Sequence, residues 1–248
     1  MKQIRALSQA SFRELIRDPL ATGLGMVFPM AFIAMFLVLP DIPQPQGKIS
    51  ALAFGLPAVL IFSVLSLGLS GTAAPMAQLR KDGVLRSLGM TPVTRSQYLC
   101  AQIPARLVVI GVEFCLIWLI ALVSGLLVST EPIMLLWAMV LCVTTSLPLG
   151  LLIGSRTDNP ALVGAMGGIL PTGLLFLCGL FLPYRMMPSA VEYVGLIFPY
   201  TYVGDMLRHT LVGMPLQYSV VQGSAVCIAW TIVMGWLAWL EFRWDTQK

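Results

Sequence analysis

Apolar stretches of bilayer-crossing length recur along this chain, at about residues 20–39, 50–74, 98–128, 132–154, 161–182 and 217–240, separated by short polar turns. A span needs about 20 mostly apolar residues, and in hydrocarbon every backbone N–H and C=O must find its partner within the protein. Runs of this length therefore predict helices. The expected fold is an all-α integral membrane protein, residues 1–248 forming a single transmembrane domain of six helices. Only 10% of the residues are charged, against about a quarter in soluble domains. With 248 residues, such a bundle leaves no room for a separate soluble domain, so any soluble catalytic machinery must come from another chain.

The positive charges set the orientation. Lys2, Arg5, Arg13, Arg17, Arg80, Lys81, Arg86, Arg95, Arg106, Arg156, Arg243 and Lys248 fall on one side of this map, and Lys48, Arg185 and Arg208 on the other. The positive-inside rule then places both termini in the cytosol, which an even number of spans permits. The net charge of +4 is spread over span ends rather than gathered in a stripe, which argues against nucleic acid. Cys100, Cys115, Cys142, Cys178 and Cys227 stand singly in or beside apolar runs and read as small core residues. The first residues lack the pattern of a cleaved signal peptide. No phosphate-binding loop, HExxH or Gly-x-Ser-x-Gly is present, so no catalytic site, bound cofactor or metal site is expected in this chain.

Three polar stretches interrupt the pattern. Residues 1–18 place Ile4, Leu7 and Leu15 opposite their basic residues, as in an amphipathic helix lying in the interface. Residues 75–97 join spans two and three and carry Arg80, Lys81, Asp82, Gly83, Arg86 and Arg95 among Leu79, Val84, Leu85 and Leu88. That spacing predicts a short helix stopped at Thr91-Pro92, with Thr94 or Ser96 capping the next span. Residues 183–216 predict two short helices broken at Phe198-Pro199, too short to span and suited to dipping into the outer leaflet and returning. Asp205, Arg208 and His209 share one helical face there, as a structural ion pair or a gate. Arg106 and Glu113, seven apart, share a face of span three; Glu113 is expected to pair with a neighbouring helix or partner subunit, or to touch substrate.

Two of these stretches resemble one family. Arg80-Lys81-Asp82-Gly83, Val84-Leu85, Leu88 and Thr91-Pro92-Val93-Thr94-Arg95 are similar to the cytosolic coupling segment of permease subunits of type-2 ATP-binding-cassette exporters. Gly179 to Pro183, Pro188, Phe198-Pro199-Tyr200-Thr201-Tyr202 and Asp205-Met206-Leu207-Arg208 resemble that family's extracellular short helices and Pro-x-Thr-Tyr motif. The resemblance implies a bacterial-type inner-membrane permease, drug/antibiotic- or polysaccharide-exporter-like, working as a homodimer, or as a heterodimer with a similar permease, with two copies of an ATPase subunit that binds ATP and Mg. It also implies that Leu85 and Leu88 enter a groove of that ATPase while Arg80, Lys81 and Arg86 meet its polar rim. An amphiphilic drug or lipid is the favoured cargo, because the spans offer few regularly spaced aromatic residues for stacking sugars. The alternatives are a proton-coupled carrier using Glu113 or Asp205, a non-transporting sensor or assembly factor, and, for residues 75–97, a merely solvated loop.

Overall fold

The computed structural model describes residues 19–44, 47–123 and 131–244; the expected interface helix of residues 1–18 lies outside them. Long helices follow the apolar runs. They are α1 (Pro19–Val38), α2 (Ala51–Gly68), α5 (Arg95–Val123), α6 (Pro132–Arg156), α7 (Pro160–Leu177) and α10 (Val220–Glu241). From α2 the chain passes through a π-helical turn, Leu69–Ala73, into α3 (Ala74–Lys81), giving one continuous helical path from Ala51 to Lys81. The short helices are α4 (Val84–Gly89), α8 (Ser189–Gly195) and α9 (Pro199–Val212).

Among the described residues, five helices are long and apolar enough to cross a membrane, and the apolar part of α1 described with its side chains, Pro29–Val38, is shorter. The short polar turn after α1 contains a small antiparallel hairpin, β1 (Ile42–Gln44) with β2 (Gly47–Ile49), pairing Ile42 with Ile49. Pro43 argues against a strand only where its missing N–H is needed, and a two-stranded hairpin tolerates it on an edge. The fifth run ends as helix at Leu177, earlier than 182, because Gly179 adopts φ +66° and Leu180 N–H reaches back to Leu175 O at 2.9 Å. This is the left-handed helix stop that glycine permits without strain. Pro29, Pro57, Pro104, Pro148 and Pro171 all lie inside helices that continue past them.

The layers follow from which helices are apolar all round. The apolar window of Ala51–Lys81 is 89% buried, whereas that of α10 is 11% buried. Helix α2 is thus the axis of the bundle, packed by α1, α5, α6, α7 and α9, and α10 leans outside on α6 and α9. Contact is closest around the π turn. A Cβ on Gly150 would strike the carbonyl of Gly68, one on Gly154 would come within 2.9 Å of Ala73 Cα, and one on Gly167 would meet Ser70 Oγ. Small residues let these backbones touch, which is how helices associate where hydrocarbon offers no hydrophobic drive.

Candidate functional site

The basic end of the bundle is organised by the loop after α3. Gln78 Nε2 donates to both carboxylate oxygens of Asp82 at 3.0 Å, one helical turn away, and Gly83 then adopts φ +74°, reversing the chain into α4. Helix α4 ends before Pro92: Thr91 N–H and Oγ1 both donate to Leu88 O, at 3.0 and 2.6 Å. Thr94 and Gln97 then form a reciprocal cap, Gln97 N–H to Thr94 Oγ1 at 3.3 Å and Thr94 N–H to Gln97 Oε1 at 3.0 Å. Of the two expected caps for the next span, Thr94 is the one used.

The stripe on this segment faces the protein's own bundle. Leu85 is 0% exposed, in a cluster with Met76, Tyr98, Leu99, Leu151, Ala238 and Phe242, and Leu88 is half-buried against the same cluster. Leu85 therefore does not project toward another protein, contrary to the expectation. Arg80 departs from it too. Its side chain is 1% exposed, pairs with Asp158 at 3.2 Å, and donates to the carbonyls of Gly154 (2.9 Å), Thr157 (3.0 Å) and Arg243 (3.2 Å). It belongs to the inward face with Ala73, Met76 and Ala77, at three- and four-residue spacing. The outward face carries Lys81, Asp82, Val84, Arg86, Ser87 and Met90, with Gly83 half-exposed between them. Val84 is 42% and Met90 79% exposed, so the apolar side chains open to a partner are these.

Within the bundle, Arg106 and Glu113 are both buried and share the face of α5 turned to the central helix. Arg106 Nη2 donates to Gly71 O in the π turn at 2.8 Å, and Glu113 Oε2 accepts from Ser63 Oγ at 2.6 Å. Seven residues up α5 correspond to eight down the antiparallel central helix, so the two bonds fix register at two heights. The hydrogen-bond partner of Glu113 thus lies on α2.

At the opposite end, Asp205, Arg208 and His209 occupy α9 but do not bind one another. Asp205 Oδ2 accepts the backbone N–H groups of Gln217 and Tyr218 at 2.9 and 3.0 Å. Arg208 Nη2 donates to the carbonyls of Gly179 and Leu180 at 3.1 and 3.0 Å, and its guanidinium lies 4.0 Å above the Phe54 ring. His209 Nδ1 sits 2.7 Å from Met214 O. The expected ion pair is replaced by three separate backbone contacts. Burial raises the Asp205 carboxyl above its usual range despite the Tyr218 and Gln217 amides, and pushes Arg208 down to about 10, still cationic at neutral pH. The break between the short helices falls at Phe198-Pro199 as expected.

Sequence reasoning missed Asp158, Ser63, Phe54 and the packing of Phe242 and Trp244 under the loop. Arg80's burial had a readable signal in its place on the Ala73-Met76-Ala77 face; the others depend on contacts distant in sequence. No group of three or more His, Cys, Asp or Glu suited to a metal occurs among the described residues. A family model described as ABC-2 type transporter matches residues 2–212. No curated protein matches the chain.

Proposed function

This chain belongs to the ABC-2 type transporter family, and from that premise we propose that it is the permease of an ATP-driven exporter moving an amphiphilic drug, antibiotic or lipid-like molecule out of the cytoplasm or inner leaflet. In this reading α1 is the first of six spans, and both termini and the basic end are cytosolic. Helices α8 and α9 then form the re-entrant pair on the outer side. Two permeases assemble with two ATPase subunits, which carry ATP and Mg.

The observation that carries this reading is the loop at the basic end. It is held against the bundle by Arg80 and Leu85, while Val84, Arg86 and Met90 face away. A loop that only enforced orientation would need neither a buried guanidinium with four acceptors nor two apolar side chains presented outward. A rigid loop with an apolar and basic outer face suits docking into a soluble partner, with apolar anchors supplying contact energy and charges setting orientation. The buried central helix supports a dimer, since it fills the middle of a single copy and favours a substrate path between two copies.

The test is purification of the tagged full-length chain from its native membranes, followed by reconstitution into vesicles with whatever ATP-binding subunit accompanies it. Export of a fluorescent amphiphile is expected to require ATP and to survive a proton ionophore. Export that proceeds without the ATPase and collapses with the proton gradient would instead make this chain a carrier.

A further inference from the structure

The loop that the preceding reading assigns to the ATPase is attached to parts of the bundle far from it in sequence. Arg80 joins α3 to the turn between α6 and α7 through Gly154 O, Thr157 O and Asp158, and to the segment after α10 through Arg243 O. Below it lies an aromatic cluster: Tyr98 at the start of α5 stands 5.5 Å from Phe242 and 6.0 Å from Trp244, whose rings are 4.8 Å apart and edge-on. A Cβ on Gly89 would come within 3.1 Å of Trp244, so the indole lies directly against the end of α4. Ser155 Oγ donates to Ala238 O at 3.2 Å, tying α6 to α10 just above. Yet the rest of α10 is the least buried of the spans, and its outer side bears Ile228, Ile232, Val233 and Trp236. The grip on the loop therefore reaches a helix that is held on one side, along α6 and α9, and is open on the other.

We propose that Arg80, Asp158 and the Phe242–Trp244 segment are positioning residues that carry displacement of the loop into the last span. The loop, the α6–α7 turn and the cytosolic end of α10 move as one body about Tyr98, and α10 shifts against the rest of α5. The physical basis is that packed aromatic rings and a multiply bonded guanidinium transmit displacement as a unit, and that a helix packed on one face only can follow it on its open side. This rests on the loop being the ATPase contact, and concerns which helix that contact moves.

The experiment uses the full-length chain with its co-purified ATPase in lipid nanodiscs, with exposed Cys100 and Cys115 replaced by serine. Spin labels are placed at Ser87→Cys with Leu240→Cys, and separately at Leu107→Cys with Ile232→Cys. Between the nucleotide-free and vanadate-trapped states, the first distance is expected to stay constant and the second to change. Trp244→Ala is expected to keep the ATPase bound while the change at 107–232 is lost; Trp244→Phe restores it. Asp158→Asn, which leaves the three carbonyl bonds of Arg80 in place, is the milder variant should Trp244→Ala not fold, and is expected to diminish the same change. A wild-type 87–240 distance that shifts with nucleotide, or a full 107–232 change in Trp244→Ala or Asp158→Asn, overturns the proposal. A wild-type chain that brings down no ATPase overturns this and the preceding reading together.

Discussion

Two arginines, one at each end of the bundle, look alike in sequence and behave differently in the fold. Arg80 stands two residues from Asp82, and Arg208 three from Asp205, so each has a nearby opposite charge. Neither uses it. Arg80 crosses to Asp158 and three carbonyls in segments more than 70 residues away, including one after the last span. Arg208 takes two carbonyls at the end of α7 and the face of Phe54, with no carboxylate. The difference follows from what surrounds them. Helix ends leave carbonyls without intrahelical partners, and a buried guanidinium with five donors satisfies several of them together. Where a turn also offers a carboxylate, the result is an ion-paired clamp; where it offers an aromatic ring, the result is a peg.

The sharpest way to break this comparison is to remove each arginine. Arg80→Ala removes a buried guanidinium that serves three carbonyls and the one-third-exposed Asp158 carboxylate and is expected to cost about 1.5 to 3 kcal/mol or more. A thermal-unfolding assay in detergent would show this as a large fall in Tm, with Arg80→Lys intermediate because an ammonium keeps the ion pair but lacks the fork that also reaches Arg243 O. An unchanged Tm in Arg80→Ala would mean that the clamp is not structural.

Asp205 sharpens the other half. Asp205→Ala strands the Gln217 and Tyr218 N–H groups and is expected to cost about 1 to 3 kcal/mol, while Asp205→Asn, whose amide oxygen still accepts them, should cost much less. If Asn and Ala were equally harmful, the charge would matter more than the acceptor and an ion pair with Arg208 would be the better account.

The extent to which this was legible in sequence divides along the same line. Hydrophobic run length located the five helices that are long and apolar enough to span among the described residues, and local chemistry located the Thr94 cap and the break at Phe198-Pro199, because those signals are read within a few residues. The side-chain partners were not legible. Nothing adjacent to Arg80 announces Asp158, and nothing adjacent to Glu113 announces Ser63; the pairing depends on how helices pack. Leu85 was misassigned for a related reason. An apolar stripe on a short helix shows only that one face wants burial, and here the membrane domain's own Met76, Tyr98 and Phe242 supply it.

Smaller effects separate interior from surface. Glu113→Gln, which weakens a charge-assisted bond to Ser63, is expected to cost roughly 1 to 2 kcal/mol, whereas Glu131→Gln at an exposed position should fall within about 0.5 kcal/mol of wild type. Equal, negligible shifts from both would remove Glu113 from the structural core. Smallest in stability is Lys81→Gln on the outer face of the loop, expected to leave Tm unchanged within error and to slow ATPase association in a salt-dependent way.

The central claim is that the loop at the basic end turns Leu85 inward and presents Val84 and Met90 to the ATPase. Its most direct test is pull-down of the ATPase by the full-length Val84→Ser, Met90→Ser permease, with Tm measured on the same sample and Leu85→Ser run beside it. The account predicts that the double variant keeps its wild-type Tm and loses the ATPase, while Leu85→Ser loses thermal stability. A double variant that still brings down the ATPase at the wild-type level, beside a Leu85→Ser chain of unchanged Tm that does not, would contradict it.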